Sequence, residues 1–105
     1  MYVLHIRINS YIYLKGKNFW DATMAWSIAK FAKQHKGTKI LHINGRFHSD
    51  EKLGIYAQLK HYAPKLKAIN ISAFAAEDFK DPNWEKHKPL GDYIILTDPT
   101  VKKTF

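Results

Sequence analysis

The sequence predicts an α/β fold, a layered domain built around a mainly parallel sheet. Three observations carry that expectation. Residues 39–72 read strand, helix, strand, the order and length of a βαβ unit. A long Ala-rich stretch of helical periodicity precedes that unit, over about 18–36. A further short apolar run, Tyr93, Ile94, Ile95 and Leu96, follows it and is stopped by Asp98-Pro99. Near-continuous apolar runs of this length suit strands buried on both faces of a parallel sheet.

The elements follow in order. Residues 2–8 alternate Tyr2, Leu4, Ile6 and Ile8 with Val3, His5 and Arg7, a period-2 pattern, and 11–14 is a second β-prone run closed by Gly16. From Asn18 the period becomes helical. Asn18 is a suitable N-cap, Asp21 lies in the first turn, Lys33 and Lys36 lie in the last, and Gly37 supplies the stop. Trp20, Met24, Ile28 and Phe31 form the expected buried stripe of that helix. Residues 39–44 read as a buried strand containing His42, and 45–48 as a loop. Ser49 or Asp50 caps a second helix over about 50–62, ended by Ala63-Pro64, and 66–72 is the next strand. Residues 73–91, with Asp81-Pro82 and Lys88-Pro89, read as a long loop holding at most one helical turn.

Composition narrows the function. The chain has 105 residues, 46% hydrophobic and 25% charged, which sets aside disordered and low-complexity classes. It has no cysteine, so disulfides, iron–sulfur clusters and thiolate zinc sites are excluded. Seventeen Lys and Arg against nine Asp and Glu give a net charge of +8, which favours a small anionic ligand or an anionic surface. Only two of the bases are arginines and the lysines are dispersed, so nucleic acid is not the expected partner. His5, Arg7 and Asn9 interrupt the apolar start, and no run reaches the roughly 20 residues of a membrane span. The polypeptide therefore reads as soluble and unexported, without direct membrane insertion.

Two polar groups fall where the carboxyl ends of parallel strands place ligands, His48 after 39–44 and Asp98 after the last strand. Gly45 permits a sharp exit and a close backbone approach. A following helix N-terminus biases the His48 imidazole toward the neutral form, able to ligate metal or act as a base. The plainer readings are a helix-capping histidine and an Asp-Pro turn. His42 reads as a core histidine, His35 as a C-terminal dipole contact, and His61 and His87 as exposed. HExxH, GxGxxG, GxSxG and P-loop patterns are absent.

Asn18-Phe19-Trp20-Asp21-Ala22-Thr23-Met24-Ala25, then Ile40 through Asp50 with Asn44-Gly45-Arg46-Phe47-His48-Ser49-Asp50 at its end, then Gly54-Ile55, resembles the C-terminal portion of the ChaN-like haem-binding uptake family, of the Tiki/erythromycin-esterase-like superfamily. Asp92 through Pro99 is similar to its last strand, so the likeness covers about 18–99. The resemblance implies haem as cofactor and a site that includes Gly45 and His48; with strand-end position adding Asp98 and the helix stripe adding Trp20 and Met24, these five are the candidate cofactor-binding residues, and His48 is the candidate metal ligand. The resemblance also implies a site shared with an N-terminal Gly-Glu-x-His motif, which this chain lacks; only Gly45-Arg46-Phe47-His48 is present. The expectation is thus an atypical segment 1–16 joined to 17–105, the C-terminal part of a ChaN-like domain. Such a fragment of an incomplete domain would have weak or no activity alone. A metal-dependent hydrolase-like domain with a bound metal ion, or an inert, partner-dependent domain, are the alternatives. The family suggests export or lipid anchoring, and strand edges left by a missing half invite a homodimer.

Overall fold

In the computed structural model, residues 10–104 are described, with side chains from Asn18 onward. Helix α1 (Ser10–Gln34) is followed by an irregular stretch, two 3₁₀ turns (Arg46–His48 and Asp50–Lys52) and helix α2 (Ile55–Tyr62). Strand β1 (Ile71–Ala75), helix α3 (Trp84–His87), a 3₁₀ turn (Lys88–Leu90) and strand β2 (Tyr93–Thr97) complete the order. The α/β class is borne out, and the strands pair in parallel from Ile71↔Tyr93 to Ala75↔Thr97.

Helix α1 is longer than the periodicity predicts. Residues 11–14, expected as a strand, and Gly16, expected as a stop, both lie inside it. Extending an existing helix adds a hydrogen bond per residue without a new nucleus, and the Ala-rich half supplies that nucleus. The expected strand 2–8 lies outside the described residues. At the other end, Gly37 takes φ +82° as expected of a helix stop.

The core sits where α1 crosses α2. Ala25 is fully buried and packs with Ile55 and Leu59, flanked by Met24, Ile28, Ala29, Ala63, Leu66 and Ala68. The small Ala25 side chain lets the two helix backbones approach, so the face of α1 is set by Ala25 rather than by its aromatics. Met24 and Ile28 take their expected places, whereas Trp20 and Phe31 are exposed.

The βαβ unit over 39–72 is corrected. Residues 39–44 form no strand, Leu41 and Ile43 are more than four-fifths exposed, and His42 is exposed rather than in the core, because no neighbouring strand among the described residues receives their backbone groups. The expected helix over 50–62 starts only at Ile55, since Glu51, Lys52 and Gly54 all have positive φ. Asp50, expected as a cap, instead accepts from Arg46 Nε at 2.9 Å and from Ser72 Oγ at 2.7 Å. The parallel pair therefore joins β1 to β2, through a crossover containing α3.

Polar contacts fix that crossover. Asn70, buried at the start of β1, donates through Nδ2 to the carbonyls of Ser49 and Leu90, at 2.8 and 3.0 Å. Its N–H donates to Asp92 Oδ2 at 2.8 Å, and its carbonyl accepts from Asp92 N–H. Gly91 passes so close that a Cβ there would stand 2.9 Å from the Asn70 carbonyl oxygen. Lys52 also pairs with Asp92. One sheet face, with Ile71, Tyr93 and Ile95, is exposed, and the radius of gyration is 15.7 Å against about 13 Å for a compact domain of 100 residues. Both features are consistent with an incomplete domain.

Replacing Ala25 with Leu is expected to overpack the α1–α2 crossing and cost about 1–3 kcal/mol. Thermal unfolding followed by circular dichroism checks this, with exposed Ser27→Ala as the control that leaves the midpoint in place. The Asn70 N–H first, and then Lys52, hold the Asp92 carboxyl below its ordinary value of 3.8. A carboxyl depressed in the folded state contributes stability above its unfolded pKa, and that contribution disappears as pH falls through the folded value. The unfolding midpoint is expected to fall below about pH 4, and Asp92→Asn to flatten that fall while lowering the midpoint at neutral pH.

Candidate functional site

The site is made by α1 and the 3₁₀ turn Arg46–His48. His48 Nδ1 lies 2.7 Å from Asp21 Oδ1, across 27 residues of sequence. A carboxylate only accepts, so Nδ1–H donates to it, and the neutral ring then carries its free lone pair on Nε2. Asp21 is 1% exposed, whereas the His48 side chain retains 19%. The histidine is thus anchored from the protein side and reaches solvent on the other.

Its open side borders a cavity of about 370 Å³, lined by Phe19, Trp20, Met24, Ile43, Gly45 and His48, with Thr23 and Asn44 completing the wall. The Trp20 and His48 rings lie 6.4 Å apart, and Phe47 meets His48 edge-on at 5.8 Å. Asn44 Nδ2 donates to the Gly45 carbonyl at 2.7 Å and to Ser49 Oγ at 3.1 Å, fixing the entry to the turn. Four of the five sequence-predicted residues, His48, Gly45, Trp20 and Met24, therefore meet at one cavity.

Asp98 does not join them. Its Oδ1 accepts from the Thr100 hydroxyl at 2.7 Å and from the Thr100 N–H at 2.8 Å, and these bonds hold its carboxyl below the ordinary range. That is the Asp-Pro turn reading. His48 likewise does not face the carboxyl end of the sheet. What orients it is the Asp21 carboxylate, rather than the expected helix N-terminus directly after residue 49.

Asp21, expected in a first helical turn, instead lies in the interior of α1 as a member of the site. The available signal is its spacing: 21, 25 and 28 share one helical face, and a carboxylate on a buried face needs a partner. Gly54 is a second such member. With φ +55° it brings the start of α2 so close that a Cβ would lie 2.3 Å from the His48 carbonyl oxygen and 2.9 Å from Asp21 Oδ2.

The carboxyl end of β1 opens on a different cavity, of about 630 Å³, bordered by Arg46, Phe74, Asp78, Asn83, Lys86 and His87. His87, expected to be exposed, is buried there, its Nε2 2.9 Å from Asp78 Oδ2. The Asn83 N–H, followed by His87, depresses the Asp78 carboxyl. Arg46 lies 3.9 Å over the Phe74 ring and pairs with Asp50. Of the charges bordering this cavity, Arg46 pairs with Asp50 and Asp78 with His87. The Glu-x-His spacing at Glu85-Lys86-His87 belongs to it, with Glu85 paired to Lys88.

With this geometry established, comparison with protein families gives a match over residues 9–59 to haem-binding uptake, Tiki superfamily, ChaN. The matched segment contains Trp20, Asp21, Met24, Gly45, His48 and Gly54, the residues that build the first cavity, and it ends before β1, so Asp98 lies outside it. It also takes in 9–16, set apart in the sequence reading. No curated protein and no solved structure matches the chain. Among the described residues, no three His, Asp or Glu side chains converge as a metal site, and no helix is long and apolar enough to cross a membrane.

Gly54→Ala is expected to disturb the Asp21–His48 pair, because its Cβ has no room and the backbone is left-handed. A lowered unfolding midpoint together with a shifted His48 imidazole signal in nitrogen-15 NMR is the expected result. Gly37→Ala, strained by a similar φ but with nothing within 4 Å, is expected to leave that signal in place.

Proposed function

We propose that this chain binds haem at the α1 cavity, with His48 Nε2 as the iron ligand it contributes. The observation that carries the reading is the Asp21–His48 hydrogen bond at 2.7 Å beside an aromatic cavity within the ChaN-like segment. A histidine ligand commonly has its second ring nitrogen held by a carboxylate, which fixes the tautomer and raises ligand basicity. Iron bound there would supply the redox and axial-ligand chemistry of haem.

The residues fit such a group in kind. Trp20, Phe19, Met24 and Ile43 offer apolar surface to a flat ring, and Gly45 keeps the approach to His48 unobstructed. The cavity is open to solvent on one side, so it would enclose only one edge of a macrocycle. Affinity of the isolated chain is accordingly modest, in line with an uptake or transfer role for a weakly held ligand. Hydrolytic chemistry is the second reading, because a carboxylate-held imidazole is also the arrangement of a general base.

Titration with haemin, followed at the Soret band, tests the assignment. The wild-type chain is expected to bind at one site, His48→Ala to lose the Soret shift, and Asp21→Asn to weaken binding by roughly 10–100-fold. Unaltered binding by His48→Ala would overturn the ligand assignment. Hydrolysis of an ester substrate that depends on His48, without haemin binding, would favour the second reading.

A further inference from the structure

Among the described residues of α1, Phe19, Trp26, Lys30 and Lys33 recur at spacings of seven, four and three and form one outward stripe without an acid, with Trp20 and Phe31 exposed on its flank. Phe19, Trp20, Trp26 and Phe31 are 69%, 63%, 52% and 43% exposed. Lys30 and Lys33 stand on the same side of the helix, and Lys30 Nζ lies 5.0 Å over the Trp26 ring. Asp21, the one acid of α1, is buried and engaged with His48. From residue 22 to 49 the sequence contains no Asp or Glu, while Lys36 and Lys39 extend the basic charge past the helix.

Singly exposed apolar side chains need no explanation, but Phe19 and Trp26 sharing an acid-free stripe with Lys30 and Lys33 are a specific combination. Tryptophan places its ring at the headgroup level of a bilayer, and lysine lays its alkyl stem along apolar surface while its ammonium remains with phosphate. A second copy of a chain with net charge +8 is repelled from such a face. Nucleic acid is disfavoured because no arginine stands on the face. We infer that the outward face of α1 docks on the surface of an anionic bilayer, peripherally, with the helix lying in the plane of the headgroups. Phe19 and Trp20 also wall the His48 cavity, so docking sets the cavity mouth at the lipid interface, where an apolar ligand partitions.

The test uses the whole chain without haem, so its outcome is independent of the haem assignment. Co-sedimentation and tryptophan emission are measured with vesicles of phosphatidylcholine alone and with roughly a third phosphatidylglycerol. Binding with a blue-shifted emission is expected on the anionic vesicles only, and is expected to vanish at high salt. The exposed Lys30→Glu/Lys33→Glu pair should bind roughly tenfold or more weakly, with an unchanged circular dichroism spectrum. Trp26→Ser should weaken binding and remove part of the blue shift. Failure to bind anionic vesicles, or equal binding by the charge-reversed variant, would overturn the proposal. So would a preference for duplex or single-stranded nucleic acid over the vesicles, measured by competition.

Discussion

A buried carboxylate organises this protein. Asp21 lies at the α1–α2 crossing, almost without access to water, and a charge so placed is tolerated only with partners. Its bond to His48 draws the 3₁₀ turn Arg46–His48 onto α1, and the tight passage of Gly54 brings the start of α2 against the same pair. Ala25, one turn further along α1, then seats Ile55 and Leu59. The hydrophobic core and the candidate site are thus two consecutive turns of one helix face. Leaving a buried acceptor without its donor typically costs about 1–3 kcal/mol, a large share of the stability of a domain this small.

A second polar centre holds the sheet to that assembly. Asn70 binds the end of the first 3₁₀ segment at Ser49, the end of the crossover at Leu90 and the beginning of β2 at Asp92. Ser72 reaches Asp50 two residues into β1. Where a larger domain would join helices to sheet with apolar side chains, this chain uses amide, hydroxyl and carboxylate groups at the amino-terminal end of the strands. The apolar contribution is correspondingly small, with Phe74, Ile94 and Leu96 only partly covered.

Sequence periodicity made some of this legible and hid the rest for identifiable reasons. The last strand lies where turn residues bound it, since Pro and Gly act locally, whereas 73–91, expected as a loop with at most one helical turn, holds the end of β1, helix α3 and a 3₁₀ turn. Residues 39–44 have a strand's composition without a strand's partner, and pairing is a non-local property that composition does not encode. The helical stripe was read from bulk, which selected Trp20 and Phe31; close helix approach selects small residues, and Ala25 with Asp21 marks the true face. His48 and Gly45 are legible from their place after an apolar run, and Trp20 and Met24 from helical spacing; the structure sets all four around one cavity. Asp21 is not, because its contact depends on a residue 27 positions away, and Asp98 lies apart from that cavity because strand-end position alone does not bring a residue to it.

The sequence separations of these contacts have a consequence for how the molecule assembles. Helix α1 is stabilised by bonds between near neighbours and nucleates locally. The Asp21–His48 bond and the Asn70 bonds to Ser49 and Leu90 each close a loop of some 20 to 27 residues, and that entropy must be spent before any of them forms. The cavity therefore has no existence in an early, helix-only state of the chain. Its geometry arises in the same cooperative step that docks α2 and the sheet, so the site reports on completed folding rather than on helix content.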